Sequence, residues 1–450
     1  MTKDSAQSAM LWIIATGFFM QTLDTTILNT ALPAIARSFN EKPLSMQLVV
    51  VAYTLTMATL TPTSGWLADR FGTRRVYFVA VLLFIFGSLC CASSTSRDWL
   101  ILSRVVQGVG GAMLLPVGRL AVLKSAREQY ISALAFVSIA AQIGPIFGPV
   151  LGGWFVQTLS WHWIFLINVP IGLAGLLLIN IYMPQDASDE LAPFDFLGCA
   201  LLSLAMVAIS LALDLPIAHH RTEWSLALAC VSVLSVLAYI PHARHRQHPL
   251  FRLGLFGDAR FRIGLIGNFV CRIGCNAVPY LLPLLMQLEL GFSPLHSGMM
   301  LLPAAIAGTL AKRWIAPLVE RFGYDTFLLV NTIVVGAAIV SFAALSAHQP
   351  LWIEIAQLAI FGAANSMQFA VMNSVTLSGL PRRDAGSGNS LFSMVQMLAI
   401  GLGVTICGQL VNIFTAHGHS MMLGFRLTFA CVGVSTLLSA LIFRRLRGVS

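Results

Sequence analysis

Charge is what this chain lacks. Of its 450 residues only 10% are Asp, Glu, Lys or Arg, against about 25% in a soluble domain. With 57% hydrophobic residues, it cannot cover itself with polar surface, so most of its solvent is lipid. A GxxxxGK[ST] loop is missing as well, which excludes a primary pump built on that nucleotide site. Paired acids, a His–Cys cluster or a nucleophile with its base do not occur at credible spacing, so no enzyme is expected. The eight cysteines all fall in apolar segments and suggest packing, not a disulfide framework. Cys271 and Cys275, four apart, make too poor a ligand set for a metal. The net charge of +9 does not point to nucleic acid, because the basic residues sit in short links between apolar segments.

Those segments are the main content of the chain. At about 20 residues per crossing, they number fourteen and predict an all-α integral membrane protein. Six precede residue 184, two lie between 195 and 241, and six follow 262. The implied division is 1–183, a pair of additional helices within 184–241, a linker over 242–261, and 262–450. The first segment is read as a retained helix although Ala34-Ile35-Ala36 mimics a cleavage site, since it is long and holds Gln21, Asp24 and Asn29. Alternate links collect the cations: Arg70, Arg74 and Arg75, then Lys124 and Arg127, Arg244 to Arg262, Lys312 and Arg313, Arg382 and Arg383, and Arg444 to Arg447. The opposing links hold only Arg37, Lys42, Arg97 and Arg221. This bias puts both termini in the cytosol.

Polar residues inside the segments are candidates for function. A carboxylate in lipid is costly, so Asp24 should face a polar cavity or a partner. Gln21, Thr25 and Asn29 make an i, i+4 row beside it. Arg104 and Gln107 share a face of the fourth segment, and Asp24 and Arg104 fall at similar depth. The expectation is that they interact and that Arg104 sets how readily Asp24 exchanges a proton. Arg272 sits deep in the first helix of the second half, as Asp24 does in the first. With the Gln21, Thr25 and Asn29 row, Gln107, Arg272, Asn276, Asn365 and Gln368 are the cavity candidates. The excess of buried cations leaves open an anionic cargo.

Three stretches have a recognisable form. Gly65-Trp-Leu-Ala-Asp69-Arg70-Phe-Gly72-Thr-Arg74-Arg75 reads as a tight charged turn that works as a conformational latch, faintly repeated at Ala316 to Gly323. Gly144 to Phe155 carries Gly144, Gly148, Pro149, Gly152 and Gly153, which permit a close, kinked helix contact. Trp161 to Gly172 is the third. Together they resemble the major facilitator superfamily, and within it the fourteen-span drug:proton antiporters. Asn268 to Gly274 and Leu290 to Pro294 look like the MdtD-type subgroup of multidrug exporters.

That resemblance implies two six-helix halves plus two additional central helices. It implies alternating-access export of small molecules against inward proton flow, with no cofactor beyond the proton gradient. The expected setting is a monomer in a bacterial inner membrane. The alternative cargo is an organic anion such as a di- or tricarboxylate.

Overall fold

The computed structural model describes residues 3–125, 130–185, 193–219, 222–378, 380, 385–416, 418 and 420–445. Of the cations used above to orient the chain, Arg127, Arg221, Arg382, Arg383 and Arg447 lie outside them. Among the described residues all regular structure is helical: α1 (Lys3–Ser38), α2 (Gln47–Leu60), α3 (Ser64–Phe71), α4 (Thr73–Ala92), α5 (Arg97–Ser125), α6 (Tyr130–Thr158), α7 (Trp163–Leu166), α8 (Asn168–Tyr182), α9 (Phe196–His219), α10 (Thr222–His245), α11 (Ala259–Leu288), α12 (Pro294–Met299), α13 (Leu302–Ala311), α14 (Ile315–Ser341), α15 (Leu351–Ser378), α16 (Ala385–Ala416) and α17 (Met421–Arg444).

Among the described residues, thirteen segments are long and apolar enough to cross a membrane. One of them, Pro294–Ala344, has 51 residues, about 76 Å of helix at 1.5 Å per residue, far beyond a bilayer core. It turns back at Gly323, where φ is 76° and ψ is 160°. Fourteen crossings result among the described residues, and an even number leaves Lys3 and Arg445 on one side, here called the terminal face. Gly72 has nearly the same backbone, φ 84° and ψ 147°, in a region essentially closed to other residues. The two halves therefore make the same turn after the same helix, as the weak sequence repeat predicted.

Within the first half α1 lies along α6, and α5 packs on α4 and α2. In the second, α14 lies on α17, α13 on α15, and α11 on α16 and α17. The halves meet along α2–α16, α1–α11 and α6–α12, and α9 lies over the α2–α16 seam. Small residues set these distances. A Cβ on Gly144, Gly148 or Gly152 would come within 2.3, 2.2 and 2.3 Å of α1 atoms, so any larger side chain at these positions would force α6 away from α1.

In the linker expected over 242–261, the first residues continue α10 to His245, and the following chain is pinned. Asp195 accepts from His242 Nε2 at 2.7 Å and from Leu250 N at 3.0 Å, and Tyr239 donates to Phe251 O at 2.9 Å. The linker is tied to the additional helices by one buried carboxylate.

Candidate functional site: a central cavity beside a buried ion pair

Asp24 and Arg104 meet, as their depth predicted. Arg104 Nη1 lies 2.5 Å from Asp24 Oδ2, and each residue is 1% exposed. Gln107 Nε2 donates to Asp24 Oδ1 at 2.8 Å and to Ser88 Oγ at 2.9 Å, while its Oε1 accepts from Arg104 at 2.6 Å. Arg104 also donates to Val49 O at 3.2 Å, and its guanidinium stacks 4.1 Å from the Tyr53 ring centre. Asn168 Nδ2 approaches Asp24 Oδ1 at 3.5 Å. Both carboxylate oxygens of Asp24 accept hydrogen bonds and Arg104 donates to three acceptors, which is what allows two charges to remain in so dry a place. The glycines explain the geometry: at Gly87 a Cβ would stand 2.5 Å from the Gln107 backbone, so α4 and α5 touch where the knot forms.

A cavity of about 490 Å³ lies between the halves. Gln21, Thr25 and Asn29 line it from α1, Asn276 from α11 and Asn365 from α15, among apolar neighbours including Met57, Pro145, Phe361 and Phe369. Four of the wall's polar atoms are buried without a hydrogen-bond partner: Gln21 Oε1, Asn29 Oδ1, Asn276 Nδ2 and Asn365 Oδ1. Mostly apolar walls carrying a few convergent, unsatisfied polar atoms suit a small organic molecule. Among the described residues, Lys312 is the one charged side chain in the lining. It stands toward the terminal face and donates to Gln142 of the other half.

Three expected cavity residues are elsewhere. Gln107 is consumed by the ion pair, because its amide bridges acid and base. Gln368 is buried on the far side of α15, where it accepts from Asn331 at 2.7 Å and donates to Thr332 at 2.6 Å. Arg272 is 7% exposed and sits behind the wall. It donates to Asn268 and, at 3.2 Å, to Asn373, with the Phe369 ring centre 3.9 Å from its guanidinium. Phe369 stands on the wall and Arg272 behind it. Asp24, too, points into the first half and not into the cavity, although its helix neighbours line it. Sequence reading missed Asn168, Ser88 and Phe369, although Asn168 falls in the run Trp161 to Gly172.

The face opposite the termini is closed in this conformation. A Cβ on Gly153 would meet Pro294 O at 2.3 Å, and one on Gly298 would meet Pro149 O at 2.2 Å. Thr30 donates to Pro149 O at 3.2 Å, and Gln287 Nε2 donates to Thr30 O at 2.9 Å and Ser297 Oγ at 3.0 Å. Gly144, Gly148 and Gly152 serve packing within the half, while Pro149 and Gly153 reach across to the other.

In the charged turn, Asp69 pairs with Lys124 of α5 at 3.6 Å. Arg74 donates to Asn180 O near the end of α8. Arg70 stacks 5.4 Å from the Trp66 ring centre, Trp66 packs on Phe194 and Phe196, and Gly65 and Arg75 are exposed. These contacts tie the turn to its own half and to the start of α9. Outside the membrane-spanning segments, burial would raise the Asp195 carboxyl, but His242 and the Leu250 and Gly198 N–H groups outweigh it and hold it below its ordinary range. Among the described residues no group of three His, Cys, Asp or Glu could hold a metal ion.

Known proteins match this architecture. The chain is 43% identical over 458 residues to a Pectobacterium atrosepticum protein named "Putative multidrug resistance protein MdtD", covering 99% of this chain and 97% of that one. It is 44% identical over 447 residues to the protein of the same name from Salmonella heidelberg, covering 97% and 94%. A crystal structure of an auto-inhibited POT-family peptide transporter superposes with a TM-score of 0.73 at 15% identity, covering 97% of each chain, a likeness of fold alone. The sequence profile described as Major Facilitator Superfamily matches residues 14–404, and again 264–450. With that match and the paired six-helix halves, the chain belongs to the major facilitator superfamily.

Proposed function

We propose that this protein is a proton-coupled secondary transporter that exports small, mostly apolar molecules from the cytosol. The carrying observation is the central cavity, with its four unsatisfied polar atoms, lying one helix face away from a buried carboxylate. Gln21, Thr25 and Asn29 present α1 to cargo, and Asp24 on the adjacent face holds the exchangeable proton. The multidrug resistance relatives, alike along nearly their whole length, support the export reading.

The cycle has two states. With the terminal face taken as cytosolic, the conformation described above accepts cargo from the cytosol while Gly153 and Gly298 seal the outside. Outward-facing, Asp24 takes a proton, the Arg104 bond weakens, and the changed packing of α1 discharges cargo. Inward-facing, the proton leaves and the pair re-forms. The charged turn from Gly65 to Arg75 braces the first half as it rocks. We place the protein as a monomer in a bacterial inner membrane, dividing at 1–183, 184–241, 242–261 and 262–450 and drawing energy from the proton gradient alone. An organic-anion cargo has less support, since Arg272, on which it rested, lies behind Phe369.

Purified protein in liposomes with an internal pH dye tests this. Adding lipophilic cations or neutral drugs should drive a pH change that Asp24→Asn abolishes, while organic acids should have little effect. Proton movement that persists in Asp24→Asn would refute the role given to that carboxylate.

A further inference from the structure

A second carboxylate sits in the membrane, outside the site just described. Asp214 of α9 is 8% exposed. It lies 18 residues beyond the start of α9 at Phe196, about 27 Å along the helix, which puts it near the face opposite the termini. Its Oδ1 accepts from Gln47 Nε2 of α2 at 2.6 Å, and its backbone carbonyl accepts from Gln409 Nε2 of α16 at 3.0 Å. Gln47 belongs to the first half and Gln409 to the second. One residue of the additional pair thus holds both halves at once.

The join is tight. A Cβ on Gly408 would overlap Gln47 Oε1 at 1.7 Å and touch Tyr280 Oη at 3.4 Å, so Gln47 lies flat across the α16 backbone. Around it, Gln47 Oε1, Gln409 Oε1, Tyr280 Oη and Ser210 Oγ are buried without partners. A site with this much unmet hydrogen bonding is costly to hold in one arrangement. It suits a contact made in one conformation and released in another.

We infer that Asp214 is a conformational strap, by which the additional helix pair stabilises closure of the α2–α16 seam and so sets the ratio of the two transport states. This rests on the reading that the halves alternate. Closure at α6–α12 uses close contact between Gly153, Pro149 and Pro294 and, among the described residues, no ion pair. The strap adds a charge-assisted bond at α2–α16, a second contact between the same halves.

The test is the distance between spin labels on Lys42→Cys and Ser420→Cys, exposed residues of the two halves on the opposite face, with exposed Cys230 and Cys431 replaced by alanine. Asp214→Leu should raise the open-to-closed ratio about tenfold, on the scale of a lost hydrogen bond to a charged group. Gln47→Met and Gln409→Met, which keep volume and leave α9 intact, should shift it the same way, and their shift carries the test if Asp214→Leu does not fold. A starting protein that shows two distances, with all three variants unchanged, overturns the strap while leaving alternation intact. A single distance in every protein at acid and alkaline pH, with and without cargo, overturns both. Lower thermal stability without a shifted ratio also overturns it, because that is the mark of a merely structural residue.

Discussion

Gly152 and Gly153 are adjacent on α6, yet adding one methyl group to each should have different consequences. At Gly153 the new Cβ would stand 2.3 Å from Pro294 O and 2.7 Å from Leu295 Cα, across the boundary between halves. At Gly152 it would stand 2.3 Å from Ile27 O of α1, inside one half. Both contacts fall roughly 1 Å short of an ordinary carbon–oxygen approach, and Pro294 O and Ile27 O are backbone atoms, so they cannot turn aside. Overpacking of this kind costs about 1–3 kcal/mol. For Gly153→Ala that strain is relieved when the halves part at the opposite face, so it enters the conformational equilibrium. The open state should gain about 5- to 150-fold in population. For Gly152→Ala the strain is present in both states, since α1 and α6 move together. It should lower thermal stability and leave the ratio alone. The Lys42→Cys and Ser420→Cys spin-label pair reads the ratio, and a melting curve in detergent reads the stability. An unshifted distance distribution in Gly153→Ala, or an equal shift in Gly152→Ala, would refute the assignment of Gly153 to the moving contact.

Arg104→Ala should destabilise the protein by about 3–5 kcal/mol, because it leaves Asp24 buried without its counter-charge. Adding Asp24→Asn should recover much of that loss in thermal melts. Gly72→Ala and Gly323→Ala should each cost about 1–3 kcal/mol, since both glycines hold a backbone conformation closed to alanine, and melting temperature would report it. Asp195 is held below the ordinary carboxylate range, so its contribution is full above that range and fades as pH falls through the lowered value. Asp195→Asn should therefore be less stable than the parent at neutral pH and should lose less stability on acidification.

The crossings were legible because lipid imposes length and hydropathy on a helix directly. The predicted spans differ from the observed ones by a few residues, and the turn at Gly323 showed as a repeat of the turn at Gly72. The Asp24–Arg104 pair was legible too: two opposite charges at one depth in lipid have few other solutions. What sequence did not give was direction around each helix axis. Gln107, Arg272 and Gln368 are polar residues at the right depth, but each turned to a neighbouring helix instead of the cavity, and a single helix does not carry that choice. Asp214 was hidden for another reason. It sits at the end of its segment, where an acid is unremarkable, and its partners Gln47 and Gln409 are 167 and 195 residues away.

The two buried arginines differ in what they do to the membrane's electric field. Asp24 and Arg104 lie in one half, bonded to each other, so on the stroke made without the proton they travel as a neutral pair, and on the proposed return stroke the protonated pair carries one positive charge. Arg272 bonds to the Asn268 and Asn373 amides and stacks on Phe369, with the Cys271 and Cys275 thiols nearby, and it belongs to the other half. A full charge crossing 100 mV is worth about 2.3 kcal/mol, and any fraction of that path taken by Arg272 adds its share to the resetting step. On the proposed cycle, voltage acts on Arg272 as well as on the proton, and it enters through the half that does not hold Asp24.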